Sequence, residues 1–316
     1  MKKIGLINLD SKIPNLALMK ISAYYKAQGD SISWFNAFEK YDKVYASKVF
    51  SYSKDYDYYP DNVVKGGSGY IDNNTVLLDE IEHICPDYSL YLDMNYSMGF
   101  TTRGCIRKCP FCIVPQKEGY IRPNADIDEF VRHKNIVLLD NNILAHKHGL
   151  KQIEKIIDQK IKVDFNQGLD ARIIAANPDI AKLLARVKYL KPIRMAMDYL
   201  SEAPAVIKAT ELLRKYGAMP NEYSVYTIVR AGEIGDAIER VEICRKLKLR
   251  PFAQPYLDPL SEKYFVSTEQ RDFISWINQR RFFQKMPWHL FKIARHNRYA
   301  NVVPDKENIK GTFDFS

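Results

Sequence analysis

Residues 223–255 read YSVYTIVRAGEIGDAIERVEICRKLKLRPFAQP. An apolar run, YSVYTIV, gives way to glycines at 232 and 235, then to a helical stretch over 235–248. A second apolar run, LRPFAQP, closes the segment at 249–255. Strand, helix and strand in that order, with no hairpin turn signal, describe a parallel βαβ unit. The same alternation extends toward the N-terminus. Strand-like runs stand at YSMGFTT (96–102), NIVLLD (135–140), KVDFNQ (162–167) and IRMAMD (193–198), and helical stretches fall at 125–132 with 145–160, 177–187 and 201–216. Six strands alternating with helices predict an α/β fold with a partial, TIM-type (β/α)6 barrel over residues 95–260. In such a barrel the working groups stand at the C-terminal ends of the strands.

Two segments flank it. Residues 1–94 open on KIGLINL, a buried-type strand, and continue into NLALMKISAYYKAQG, a helix with Asn15 placed to cap its start and Gly29 its end. SISWF, DKVYASKVF and NVVKGG add strands, TVLLDEIEHI adds a helix, and SYSKDYDYYPD reads as a loop. This order predicts a Rossmann- or flavodoxin-like parallel sheet covered by helices. Residues 261–316 form a basic extension, with one helix expected near 267–285 and little pattern after it.

Composition bounds the function. The chain has 316 residues, 46% hydrophobic and 27% charged, which suits a globular protein with a sizeable core. No run reaches the length of a membrane span and the lysine-led N-terminus has no secretory h-region, so the expected location is cytoplasmic and without membrane contact. There thiols stay reduced, and clustered cysteines suggest metal before disulfide. The formal charge of +9 divides into −3 over residues 1–100 and +12 over 101–316. Residues 271–300 carry Arg271, Arg280, Arg281, Lys285, Lys292, Arg295 and Arg298 against Asp272, interleaved with aromatic side chains. Such a segment fits either an anionic partner, RNA or DNA, or a helix that buries its rings and solvates its charges.

Three of the five cysteines, Cys105, Cys109 and Cys112, lie in the loop after the first barrel strand, TTRGCIRKCPFCIVPQKEG (101–119). A structural zinc site wants four ligands, usually in two close pairs, and here a fourth has no obvious source. A [4Fe–4S] cluster has four irons, and three thiolates leave one of them open to an exogenous chelate. Arg103, Arg107 and Lys108 offset the negative charge of such a cluster, and Phe111 shields it from water. A non-catalytic Fe–S or zinc module remains the reading of another class.

The C-x3-C-x2-C loop, with an aromatic before its third cysteine and a six-unit barrel behind it, resembles the radical S-adenosylmethionine (SAM) superfamily over roughly residues 95–260. The resemblance implies a cluster held by Cys105, Cys109 and Cys112 whose open iron chelates SAM. Reductive cleavage then yields a 5′-deoxyadenosyl radical that abstracts hydrogen from an undetermined substrate. It also implies an electron donor such as a flavodoxin or ferredoxin. The Gly-Gly-Glu-like stretch that holds the SAM amino group in the family corresponds to Asp140, Asn141 and Asn142, without the glycines. The third strand ends in DFNQGLDAR, unusually polar, which makes Asn166, Gln167, Asp170 and Arg172 candidate catalytic or substrate contacts. Asp198, Arg230 and Gln254 end strands four, five and six and complete the expected cofactor-binding rim.

A Rossmann-like segment ahead of the barrel is similar to the class carrying an N-terminal cobalamin-binding-like domain, some of whose members bind cobalamin while others keep the fold and bind none. With cobalamin bound, the resemblance implies methyl transfer. The D-x-H-x-x-G pattern is missing, and His83 is misplaced for a cobalt ligand. The tRNA-modifying methylthiotransferases share the arrangement but need three N-terminal cysteines, where this segment has Cys85 alone. Cys244 reads as a buried helix thiol.

Overall fold

The computed structural model describes residues 1–70, 76–220, 222–257 and 265–300. Four parallel strands come first: β1 (Lys3–Asn8), β2 (Ser31–Trp34), β3 (Lys43–Ser47) and β4 (Val63–Gly66), side by side as β2-β1-β3-β4. That order is the beginning of a flavodoxin-like sheet. Helix α1 (Leu16–Ala27) makes the crossover from β1 to β2. Asn15 caps it by accepting from the Leu18 N–H at 3.2 Å, and Gly29 ends it at φ +81°.

Among the described residues, helices cover one face of this sheet. Ile4 and Leu6 pack with Leu18, Ile21 and Tyr25 of α1 and with Ile81 of the four-residue α2 (Asp79–Glu82). The expected helices on the other face are replaced by rings, Phe35, Tyr41 and Tyr59, laid over Ile7, Val44 and Ala46. The reason lies in the connections: 35–42 and 48–62 contain no helical repeat, so loop aromatics must cover the apolar strand face. Gly5 of β1 leaves room for Tyr41, whose ring lies 3.0 Å from where a Cβ would stand.

The remaining strands are β5 (Ser97–Gly99), β6 (Thr102–Arg103), β7 (Arg122–Pro123), β8 (Asn135–Leu138), β9 (Lys162–Phe165), β10 (Lys188–Tyr189), β11 (Ile193–Ala196), β12 (Tyr223–Val229) and β13 (Arg250–Pro255). All six runs expected from the alternation form strands in parallel ladders, but the strands divide between two sheets. One has the order β10-β9-β8-β5 and the other β11-β12-β13, because the short β10 takes the free edge of β9 where β11 would have paired. The seam is bridged by the Leu169 N–H donating to the Arg194 carbonyl at 2.8 Å and by the Arg194–Asp164 ion pair. One hydrophobic cluster runs under both sheets, including Ile136, Val163, Ile193 and Val225.

Helices alternate with these strands: α3 (Val114–Lys117), α4 (Ile127–Phe130), α5 (Lys147–Asp158), α6 (Ala171–Ala176), α7 (Pro178–Ala185), α8 (Ala203–Lys215) and α9 (Ile234–Lys246). The C-terminal segment is more regular than its sequence suggested, with three helices, α10 (Thr268–Asn278), α11 (Arg280–Lys285) and α12 (Trp288–Ala300). Phe273, Trp276, Phe283, Trp288 and Phe291 are buried together against Val229 and Ala253. Several of its cations are paired, Lys292 with Glu269 and Arg280 with Glu222 on the surface, and Arg295 with the buried Asp272. The side chains of Arg298 and Tyr299, and residues 301–316 of the expected extension, lie outside the described residues. Among the described residues no helix is long and apolar enough to cross a membrane.

Candidate functional site

The cysteine loop hangs from a small antiparallel clasp, β6 against β7, that follows β5. Gly104 turns the chain at φ +79°, and a Cβ there would stand 2.4 Å from the Tyr120 carbonyl oxygen, so only glycine fits. The Cys105 N–H donates to the Gly119 carbonyl at 3.2 Å, and the Cys112 N–H closes a turn onto the Cys109 carbonyl at 3.0 Å. Glu118 pins both ends of the loop: its Oε2 accepts from the Gly104 N–H and the Asn141 Nδ2, each at 2.9 Å, with Arg103 Nε at 3.5 Å.

Cys105, Cys109 and Cys112 line one cavity with Phe111, Asn141, Asn142, Gln167, Asp170, Arg172, Asp198 and Glu202 among its walls. These residues come from the ends of β5, β8, β9 and β11, so the structure gathers the strand ends of both sheets at one place. Burial pushes the thiols of Cys109 and Cys112 up, and the neighbouring thiols push the same way. Among the described residues no three His, Cys, Asp or Glu side chains converge on a single metal ion. The three thiols share one cavity.

Around the sulfurs runs a charged network. The Arg107 main-chain N–H lies 3.3 Å from Cys105 Sγ, and Asn142 Nδ2 lies 3.6 Å from the same sulfur. Asp170 Oδ2 accepts from Arg107 Nε at 2.8 Å and from Asn142 Nδ2 at 3.2 Å, while its Oδ1 accepts from Arg172 Nε at 3.0 Å. Burial alone would raise the Asp170 carboxyl, but the two guanidiniums hold it below the usual carboxylate range. Arg172 continues to Glu202 at 3.1 Å, and Glu202 Oε2 accepts from the Asp198 N–H at 2.7 Å. Asp198 is only 8% exposed; burial and then the nearby Glu202 charge push its carboxyl up to about 6.

Several expected roles change. Asp140 is not on the cavity wall. It is buried behind it, accepting from the hydroxyls of Thr101 and Thr102, each at 2.7 Å, and from the Thr101 N–H at 3.1 Å. A carboxylate with that many internal donors anchors the start of the cysteine loop. Its neighbour takes the facing position: Asn142 is 4% exposed, and its Oδ1 has no hydrogen-bond partner. Asn166, Arg230 and Gln254 do not line the cavity. The Asn166 N–H is used on the Leu138 carbonyl at 3.0 Å, and Gln254 is exposed on β13. Arg230 sits one layer out, donating to the Asp198 carbonyl at 2.9 Å with its guanidinium 4.2 Å from the Tyr199 ring centroid and 5.9 Å from that of Phe111. It thereby ties the cysteine loop to the ends of β11 and β12. Arg103 turns from the sulfurs toward Glu118 and covers the Phe100 ring at 4.0 Å.

Two site residues were not singled out from sequence. Glu118 sits in a polar stretch, QKEGY, that carries no pattern to distinguish it. Glu202 had a signal, since it stands three residues after Tyr199 and closes a capping box there. In the N-terminal segment, His83 is paired with Glu129, Nδ1 to Oε2 at 2.9 Å. Cys244 is buried in α9, as expected of a helix thiol.

A scan against protein-family models finds no match, and neither does a search of curated proteins. Among solved structures, the chain is similar to Streptococcus suis SuiB, determined bound to the precursor peptide SuiA. The match has a TM-score of 0.40 and 16% sequence identity, covering 54% of this chain and 42% of that one. The chain thus matches less than half the length of SuiB.

Proposed function

We propose that this chain is a radical SAM enzyme, with its two parallel sheets forming an open (β/α)6 half-barrel around a [4Fe–4S] cluster held by Cys105, Cys109 and Cys112. The observation that carries the reading is the donor set: the three thiols of a C-x3-C-x2-C loop line one cavity at the strand ends. A closed zinc site takes four protein ligands, usually in two close pairs. A multi-iron cluster takes thiolates spread over separate irons. When bound, the cluster supplies a single electron to the sulfonium of SAM, whose cleavage starts the radical chemistry.

The chain's own residues prepare that site. The raised thiols of Cys109 and Cys112 hold their protons until metal displaces them, so cluster assembly releases protons and weakens as pH falls. Arg107 and Arg172 bring positive charge to the wall beside the sulfurs. The buried, unpartnered Oδ1 of Asn142 is an acceptor that suits an ammonium group, and a lone buried acceptor gains most from such a donor. Phe111, Tyr199 and Arg230 pack together beside the cavity.

Anaerobic reconstitution tests the reading. About four irons with matching sulfide per chain are expected, together with 5′-deoxyadenosine released from SAM on reduction with dithionite. Cys109→Ala is expected to lose both. One zinc per chain, or a Cys109→Ala protein that keeps cluster and SAM cleavage, overturns it.

A further inference from the structure

Asp170 stood out in the sequence as a candidate substrate contact, yet its side chain is only 6% exposed and every contact it makes is internal. Its Oδ2 gathers two residues, Arg107 and Asn142, and these same residues bring N–H groups to Cys105 Sγ. The carboxylate belongs to the end of β9 and the cysteine to the loop after β5, so the contact joins two parts of the chain about the thiol that begins the motif. A second duty is local: Asp170 caps α6, its Oδ1 accepting from the Arg172 N–H at 3.1 Å.

Resting on the radical SAM reading, we propose that Asp170 is a positioning residue for the cluster. Through Asn142 and Arg107 it fixes the hydrogen bonds to the Cys105 sulfur and so sets the potential at which the cluster takes its electron. Net charge and N–H donors to ligand sulfur are the levers a protein has on such a cluster, and groups beyond the ligands tune it through the ligands. Asp170 controls both: it places a buried negative charge beside the site, and it orients the donors.

The two levers give opposite signs in two variants. Asp170→Asn removes the charge but keeps the cap, since asparagine caps a helix as well as aspartate. It leaves the Asn142 amide and both arginines unopposed, so the cluster becomes easier to reduce. At a fixed poised potential the ratio of reduced to oxidised cluster is expected to rise about threefold or more, with altered g-values in the EPR spectrum. Asn142→Ala removes a donor from the sulfur without touching the cap, and the ratio is expected to fall. Asp170→Glu should return toward the wild-type ratio.

A second measurement needs no cluster. In the metal-free protein, iodoacetamide labelling followed by mass spectrometry is expected to modify Cys105 severalfold faster in Asp170→Asn, with Cys109 unchanged. The proposal is overturned if Cys105 labelling matches wild type, or if a loaded Asp170→Asn protein keeps the wild-type reduction ratio and spectrum. Wild-type protein that loads no iron would defeat the enzymatic reading instead, and the labelling experiment would still decide whether Asp170 governs Cys105.

Discussion

At the scale of single residues, burial decides what each polar group can do. Asp198 is buried beside Glu202, and its carboxyl is pushed up to about 6 from the ordinary 3.8. A carboxyl raised in the folded state favours folding when protonated. Its contribution is therefore full below the unfolded value of 3.8 and is lost as pH rises through about 6. The displacement is worth about 3 kcal/mol at neutral pH by the ordinary conversion. Asp198→Asn keeps the acceptor that the Ile228 N–H uses at 3.0 Å while removing the charge. In metal-free protein, urea melts at pH 4 and pH 7 should show the variant gaining stability over wild type at pH 7 and little at pH 4. Equal differences at both values would show that Asp198 titrates as if exposed. Sequence reading found the neighbourhood of these groups but not their division of labour. Asp140, Asn141 and Asn142 are adjacent, and a strand end alone does not say which faces inward. Asp140 turns to Thr101 and Thr102, while Asn142 is left with an open acceptor. That split depends on a contact across about forty residues, which no local pattern encodes.

At the scale of elements, periodicity was legible wherever an element buries one face. The six strand runs and the amphipathic helices α5, α7, α8 and α9 all form near their expected bounds. What local pattern missed was short or depended on partners. The two-residue strands β6, β7 and β10 have no period to read, and β10 is what splits the six strands between two sheets. The C-terminal segment shows the same lesson in its aromatics. Their interleaving with cations fits a nucleic-acid surface and a buried helix face equally well, and the tertiary packing puts Phe273, Trp276 and Phe283 in a core. Trp276 is fully buried and its Nε1 donates to the Met286 carbonyl at 2.8 Å, joining α10 to the turn before α12. Trp276→Ala should therefore destabilise the protein by about 3–5 kcal/mol, read from the urea midpoint. A loss below about 1 kcal/mol would match a surface ring instead.

At the scale of the whole molecule, the site is a meeting of strand ends. Its walls come from residues 105–112, 141–142, 167–172 and 195–206, with Tyr226 of β12, which belong to two different sheets and the loops beyond them. A cluster seated among them would restrain all four segments together, because Asp170 and Arg172 connect the cysteine loop to Glu202 and Glu202 to Asp198. A ligand that merely stapled the cysteine loop would restrain that loop alone. Hydrogen exchange separates the two, since amide protection reports local opening. Comparing metal-free with reconstituted protein, slower exchange is expected in all four segments at once. Strands β2, β3 and β4 of the first sheet contribute nothing to the cavity walls and should exchange as before. Protection confined to residues 105–118 would mean that the metal organises the cysteine loop and leaves the strand ends idle, and the case for chemistry in this cavity would fall with it.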